Sequence, residues 1–261
     1  MNRDRAIRTL LPALAFLAAL AAWEAIVRIN HIPPVILPAP SLIGATLVKD
    51  WPTLSGSLVV TLSITLEALV AATVGGTLLA LLFAQWRPLE YTFFPFTVIL
   101  QVTPVIAIAP LLLVYLTPGE AVLVCSFLVA FFPILANTSL GLTSVDHNLL
   151  DLFQMYRASS WRQLLWLRIP AALPYFLGGL RIGGGLALIG AIVAEIAAGS
   201  AGEGAGLAFR IVESGYRLNI PRMFAALVLI SVSGVAIFVC TTTLSWLLLH
   251  RWHDSARRRE P

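Results

Sequence analysis

The chain has 261 residues, of which 59% are hydrophobic and only 11% charged, and its mean hydropathy is +0.89. Soluble domains are about half apolar and about a quarter charged, so this composition excludes an ordinary soluble domain and predicts an all-α polytopic membrane protein. The net charge of +4 comes from arginines that flank apolar runs. That placement indicates membrane topology and argues against a nucleic-acid partner, which would need an exposed basic stripe.

Six apolar runs are long enough to cross a bilayer as helices. They cover approximately residues 10–28, 58–85, 91–116, 121–140, 173–198 and 223–250. The first run follows three arginines, as in a signal peptide, but no small-residue cleavage site follows it, so it is interpreted as a retained helix. The whole chain, 1–261, is therefore predicted to be a single transmembrane domain.

The even number of spans places both termini on one side of the membrane. The basic segments 3–8, 157–168 and 251–259 share that side. The positive-inside rule makes it cytoplasmic.

Polar residues within the third span are candidates to line a translocation path. Pro95, Pro104 and Pro110 kink this span and free backbone carbonyls, which must find partners or line a wet cavity. Gln101 and Thr103 lie in its QVTP stretch and are the first candidates for the path. Hydrogen bonding between helices is the alternative.

Two carboxylates also fall within spans, Glu67 in the second and Glu195 near the outer end of the fifth. For Glu67, an ionisable group at membrane depth is a functional hypothesis by default, and the alternatives are inward packing against Ser or Thr and simple protonation. The fifth span is rich in glycine. Gly179 and Gly183 have the small-xxx-small spacing, which predicts close packing within the bundle, with a dimer seam as the alternative.

Two short helical pieces are predicted on the outer side. Residues 31–40 are broken by prolines and form a loop, and the segment SLIGATLVKDW that follows is a short amphipathic piece. A second short helix is predicted around Leu207 to Ser214. The charged residues nearby, which either meet a soluble partner or are simply solvated, are Glu203, Arg210, Glu213 and Arg217.

The longest polar island lies at residues 144–170 and is predicted to form two short helices and a stop. Ser144 and Asp146 begin the first, Ser160 and Gln163 fit a capping box at the start of the second, and Pro170 ends it. An apolar face that needs a partner recurs at helical spacing in the first helix: Leu149, Leu150, Leu152, Phe153 and Tyr156.

This island resembles the cytoplasmic loop of bacterial ABC importer permeases, whose motif is Glu-Ala-Ala, three residues, Gly, nine residues and Ile-x-Leu-Pro. Here 151–153 (Asp-Leu-Phe) takes the first positions, Arg157 the glycine position, and Leu167, Ile169 and Pro170 the closing triplet. Arg157 therefore stands where the motif has glycine, a residue suited to a tight turn.

Three further segments are similar to those of permeases for nitrate, sulfonate, taurine and pyrimidine precursors. They are LPAPS at 37–41, ASSWRQLLWLRIPAALPYFLGGLRI at 158–182 and RMFAALVLI at 222–230. The likeness covers nearly the whole chain. It favours a pyrimidine or vitamin precursor as substrate over a sulfonate, taurine or nitrate.

The resemblance implies the architecture of a type I ABC importer permease in the bacterial inner (plasma) membrane. Two permease copies form a homodimer, two cytoplasmic ATP-binding subunits supply energy, and an external substrate-binding protein delivers the solute. Residues implied to dock the ATPase are Asp151, Gln154, Arg157, Ala158, Ser159, Ser160, Trp161 and Pro170. Residues assigned to the path are Gln101, Thr103, Glu67 and Glu195.

This chain itself is predicted to hold no cofactor and to catalyse no reaction. Its only lysine is Lys49, so it contains no G-x-x-x-x-G-K phosphate loop, and ATP and Mg²⁺ are expected on the partner ATPase. No metal-ligand spacing exists, and Cys125 and Cys240 are interpreted as small core residues.

Two other classes of membrane protein fit the sequence less well than a permease. An intramembrane hydrolase needs a nucleophile paired with a base at membrane depth, but the histidines all lie in loops or at helix ends: His31, His147, His250 and His253. A proton-coupled secondary transporter using Glu67 and Glu195 is the better rival. It has no need of the central loop, however, and no inverted repeat is evident.

Overall fold

The computed structural model describes residues 3–199 and 204–250, and every regular element within those ranges is helical. The helices are α1 (Arg3–Ile29), α2 (Pro40–Lys49), α3 (Trp51–Gln85), α4 (Arg87–Val102), α5 (Val105–Leu112), α6 (Pro118–Thr143), α7 (His147–Met155), α8 (Ser160–Gln163), α9 (Ile169–Ala198), α10 (Leu207–Tyr216) and α11 (Ile220–Leu249). A π-helical turn, Leu164–Arg168, joins α8 to α9.

Five of these stretches are long and apolar enough to cross a membrane, and the number is six if the bent pair of α4 and α5 counts as one span. The five are Leu10–Ile29, Trp51–Gln85, Pro118–Thr143, Ser160–Ala198 and Ile220–Leu249. The prediction of an all-α polytopic protein is therefore confirmed.

The predicted third span, 91–116, is not one helix. Helix α4 ends at Val102, α5 begins at Val105, and the two are bent by 93°. The reason is local: Pro104 forces the preceding residue out of helical geometry, and Thr103 accordingly has an extended ψ of 123°.

The centre of the bundle is the packing of α9 against α6, with α3 on the flank. A Cβ added at Gly179 would lie 2.9 Å from the Pro133 carbonyl oxygen, and one added at Gly183 would lie 2.9 Å from Ile134 Cδ1. Only glycine permits this approach, so the predicted internal packing of the small residues is confirmed.

The two ends of the bundle carry different short helices. The loop end carries α7 and α8, and the start of α8 lies beside the last turn of α3, where Gln85 Nε2 is 3.5 Å from the Ser160 carbonyl oxygen. At the opposite end, named the cap end, α2 and α10 lie beside the first turns of α3 and α11. Helix α11 finishes at the loop end. Helix α1 finishes at the cap end, where Glu24 accepts a hydrogen bond from the Ser41 amide at 3.0 Å.

Candidate functional site

The first helix of the loop end, α7, is held by caps rather than by packing. Asp146 accepts a hydrogen bond from the Asn148 amide at 2.8 Å and begins the helix. None of the nine residues of α7 is buried. The predicted apolar face is thus only partly covered within this chain: Leu150 and Phe153 are half-buried, whereas Leu149 is 46% exposed, Leu152 44% and Tyr156 81%.

The turn after α7 keeps a glycine-type conformation although Arg157 occupies it. Arg157 has φ of +50°, and its amide donates to the Gln154 carbonyl at 2.8 Å. The Ala158 amide donates to the Phe153 carbonyl at 2.9 Å, which completes the pair of bonds that ends many helices. The loop therefore has the turn of its family motif, with an exposed guanidinium added.

The second helix of the loop end begins one residue earlier than predicted. Ser159, not Ser160, is the cap, and its hydroxyl accepts from the Arg162 amide at 3.4 Å. Gln163 donates its side-chain amide to the Ala158 carbonyl at 3.1 Å, so the predicted capping box of Ser160 and Gln163 is wrong. The left-handed turn at Arg157 leaves Ser159 in the extended conformation that a cap needs.

The prediction that Pro170 ends this helix is also wrong. The chain is helical without interruption for 39 residues, from Ser160 to Ala198. In the π turn the Ile169 amide bonds back to the Leu164 carbonyl, and Pro170 follows in the first turn of α9. A widened turn accommodates the proline ring and its missing N–H, so the coupling segment (residues 144–170) runs directly into the fifth span.

A polar pocket lies between the coupling segment and the end of α3. Its volume is about 290 Å³, and it is lined by Ala84, Gln85, Arg87, Ser160, Gln163 and Arg168. No carboxylate is among the lining residues. Among the described residues, neither arginine has an acidic group within ion-pairing distance. The pocket is therefore positively charged and suits a carboxylate.

The residues predicted for docking are largely exposed. Asp151, Gln154, Arg157, Ser159, Ser160, Trp161 and Pro170 are on the surface, and Ala158 is half-buried. Sequence reasoning missed Met155, whose side chain is 82% exposed beside Tyr156. The signal was an apolar side chain in a polar island, and a contiguous exposed apolar patch marks an interaction surface.

Two of the four residues predicted for the path, Gln101 and Thr103, fall at the break between α4 and α5. Gln101 and Thr103 line a cavity of about 370 Å³, together with residues of α6 and α9 such as Phe132 and Leu186. The Thr103 hydroxyl donates to the Ile99 carbonyl at 2.7 Å. Gln101 is exposed. The proline-broken backbone therefore does border a cavity, as broken helices at membrane depth require.

The structure separates the two intramembrane carboxylates. Glu67 is exposed on α3, whereas Glu195 is only 5% exposed and contacts α3 at Thr61. Six residues of helix correspond to about 9 Å between Thr61 and Glu67. The two carboxylates thus do not form a relay, and nothing in the geometry favours the proton-coupled alternative.

Glu195 connects three helices at the cap end. Its Oε1 accepts from the Thr61 hydroxyl at 2.7 Å, and its Oε2 accepts from the Ala208 amide at 2.9 Å. The Thr61 hydroxyl oxygen in turn accepts from the Leu207 amide at 2.9 Å. One side chain from α9 and one from α3 thus satisfy the first two amides of α10, groups that have no partner within their own helix.

Ion pairs hold the rest of the cap end. Arg222 lies 2.6 Å from Asp50, and its hydrogen bond holds the pKa of Asp50 below its usual range. Arg210 lies 2.8 Å from Glu213 and lowers the pKa of that carboxyl in the same way. Arg210 and Glu213 therefore stabilise the cap end itself, while Arg217 remains largely exposed. The predicted partner residue Glu203 lies outside the described residues.

Arg181 is a further residue that sequence reasoning missed. It lies within α9, its guanidinium is 5.8 Å from the centre of the Phe238 ring, and its Nε is buried without a hydrogen-bond partner among the described residues. The available signal was an arginine inside an apolar run, since a charge at membrane depth is costly and usually functional.

The chain is similar to transport proteins over almost its full length. The family described as "Binding-protein-dependent transport system inner membrane component" matches residues 72–259. A probable ABC transporter permease protein of Haemophilus influenzae is 35% identical over 94% of this chain and 98% of its own.

Two further relatives have substrates in their names. The formylaminopyrimidine transport permease protein ThiX of Halalkalibacterium halodurans is 33% identical over 94% of this chain and 97% of its own. The riboflavin transport system permease protein RibX of Chloroflexus aurantiacus is 32% identical over 90% of this chain and 87% of its own.

Proposed function

This chain belongs to the family of inner-membrane components of binding-protein-dependent transport systems, and from that premise we propose how its two ends divide the work of import. The protein is a permease subunit of an ABC importer. It is a multi-pass protein of the bacterial inner membrane, not an enzyme, and it works with an ATPase and a substrate-binding protein. In our proposal the loop end docks the ATPase and the cap end receives the binding protein.

The orientation follows from charge. Arg157, Arg162 and Arg168 lie at the loop end, and the arginine-rich segments 3–8 and 251–259 share that side by the number of spans. The positive-inside rule then supports a cytoplasmic loop end with both termini in the cytoplasm.

Docking at the coupling segment is carried by one observation: much of the apolar face of α7, at Leu149, Leu152 and Tyr156, is exposed in this chain although it has the pattern of a buried face. An ATPase that covers Leu149, Leu152 and Tyr156 would remove that apolar area from water. Asp151, Gln154 and residues 157–161 surround the face with polar partners. The basic pocket between Arg87 and Arg168 would accept a carboxylate of the same subunit. ATP and Mg²⁺ bind to the ATPase in this scheme.

A second copy of the chain completes the translocation path. Glu67 supports the homodimer, because it is exposed in the middle of a 35-residue apolar helix and a carboxylate facing lipid there is costly. Burial against a second copy, or exposure to a wet path between the copies, removes that cost. Gln101 and Thr103 then line the path beside the broken α4–α5 backbone.

For the substrate we propose a small polar heterocycle, such as a pyrimidine or another vitamin precursor. The names of the riboflavin and formylaminopyrimidine permeases support this class, since both compounds are nitrogen heterocycles. The binding protein selects the compound. Measuring which heterocycle the binding protein that copurifies with this permease retains tests this choice.

The docking proposal is tested by copurification from the native membrane. We expect the ATPase to accompany the wild-type chain and to be lost from the double variant Asp151→Lys, Arg157→Glu. The matched control is Lys49→Glu, a charge reversal at the cap end, which should retain the ATPase. Undiminished ATPase on the double variant would reject the coupling segment as its dock.

A further inference from the structure

The fifth span connects the two ends of the molecule mechanically. It is one helix from Ser160 to Ala198, and Glu195 stands 35 residues after Ser160. At the rise of an α-helix this separation is about 52 Å. The helix that begins in the coupling segment therefore ends at the residue that caps α10.

The contact between Glu195 and α10 is tight and dry. Thr61, Leu207 and Ala208 have no exposed surface, and Gly206 is buried against the carboxylate. A Cβ at Gly206 would overlap the Glu195 carboxyl group, so only glycine fits there. Leu207 also packs in an apolar cluster with Ile43, Leu54 and Leu229 of three other helices.

The chemistry of the contact favours a carboxylate. Glu195 accepts two hydrogen bonds, one at each oxygen, from Thr61 and from Ala208. A glutamine offers one oxygen and an NH₂ group, and that group would face one of the two donors. The Glu195 oxygens also lie at the N-terminus of α10, where the helix dipole favours negative charge.

We propose that Glu195 is a positioning residue for transport: it fastens α10 to the fifth span, so that the binding protein, pressing on α10, moves the coupling segment. The exposed end of α10, at Tyr216, Arg217 and Leu218, offers the surface for that contact. This inference rests on the proposed docking of the ATPase at residues 144–170.

The experiment measures ATP hydrolysis by the complex of permease, ATPase and binding protein in lipid nanodiscs, with and without the binding protein. Loss of one charge-assisted hydrogen bond corresponds to about a tenfold effect, so Glu195→Gln should lower the stimulation by the binding protein about tenfold. The basal rate should fall far less. Thr61→Val should also lower the stimulation, whereas Thr61→Ser, which keeps the hydroxyl, should retain it. The double variant Thr61→Val, Glu195→Gln should lower the stimulation little more than either single change does.

The matched control is Glu90→Gln, the same chemical change at the loop-end start of α4, which should leave both rates unchanged. A purely structural role of Glu195 would lower basal and stimulated rates together, and that result overturns the proposal. Full stimulation in Glu195→Gln overturns it as well. Failure of the docking proposal is separately visible, because it shows as ATPase retention in the Asp151→Lys, Arg157→Glu variant.

Discussion

The short helices α7 and α10 lie at opposite ends of the helix bundle and differ in what covers them. Helix α7 has a partly exposed apolar face and no fully buried residue, and caps at Asp146 and Arg157 bound it. Helix α10 buries Leu207, Ala208 and Ser214 and is bonded to two spans through Glu195 and Thr61.

The difference shows which end is completed by another protein. An uncovered apolar face is tolerated in water only when a partner covers it or when its area is small. The cap end is already assembled, with its helix amides satisfied and its charges paired. We infer that the loop end is ordered by its ATPase and that the cap end is rigid before any partner arrives.

The largest expected difference in stability between the two ends is tested by a matched pair of leucine-to-alanine variants. Leu207→Ala removes a fully buried side chain and should lower the free energy of unfolding by about 3 kcal/mol. Leu149→Ala, on the half-exposed face of α7, should cost less than about 1 kcal/mol. Thermal unfolding of the detergent-solubilised permease measures both. Equal losses would show that the ends are packed alike.

A glycine pair tests the tight contact at the cap end. Gly206→Ala places a methyl group on the Glu195 carboxylate and should destabilise the permease by about 2 kcal/mol. Gly204→Ala is the control, since a Cβ at Gly204 meets nothing within 4 Å. Unfolding midpoints compare the two. A Gly206→Ala protein as stable as the control would show that α10 is not pressed against Glu195.

The Asp50–Arg222 pair predicts a pH dependence confined to the cap end. The pKa of Asp50 is lowered in the folded protein, so its stabilising contribution is present above the ordinary pKa of about 4 and is lost as pH falls through the folded value. For this half-buried pair we expect about 1 kcal/mol. Unfolding of the wild type should therefore respond more to acid than unfolding of Asp50→Asn does. Parallel pH profiles would contradict the pairing.

An effect of similar size, confined to one turn, concerns the residue after α7 that has a positive φ. Arg157→Gly relieves a left-handed backbone conformation and should stabilise the local turn by about 1 kcal/mol. Hydrogen exchange of the Ala158 amide, which closes the turn, should slow accordingly in the isolated permease. Faster exchange would show that the arginine side chain, rather than the backbone, holds the turn.

Much of the fold was predictable because apolar runs of this length have one stable solution in lipid. The short helix predicted from Leu207 to Ser214 is present as Leu207–Tyr216. The passage of the fifth span through Pro170 was not predictable. The proline rule is local, whereas the π turn is fixed by Leu164, which packs with Phe83 and Leu135 of other helices.

The exposed surface of the coupling segment was predictable from the sequence, whereas the hydrogen bonds of Glu195 were not. The exposed residues of the coupling segment follow from a polar sequence between two spans. The hydrogen-bond partner of Glu195 does not follow from the sequence, because Thr61 lies 134 residues away. Nothing in the pattern selects Thr61 among the many hydroxyl residues of the spans.

The most direct test of the account is hydrogen exchange of the permease measured with and without its ATPase. The account predicts that amides of α7 (His147–Met155) exchange at least about tenfold more slowly when the ATPase is bound, because the uncovered face is then buried. Amides of α10 (Leu207–Tyr216) should already be slow and stay unchanged. Unchanged exchange in α7, or new protection confined to α10, would contradict the assignment of the loop end as the ATPase dock.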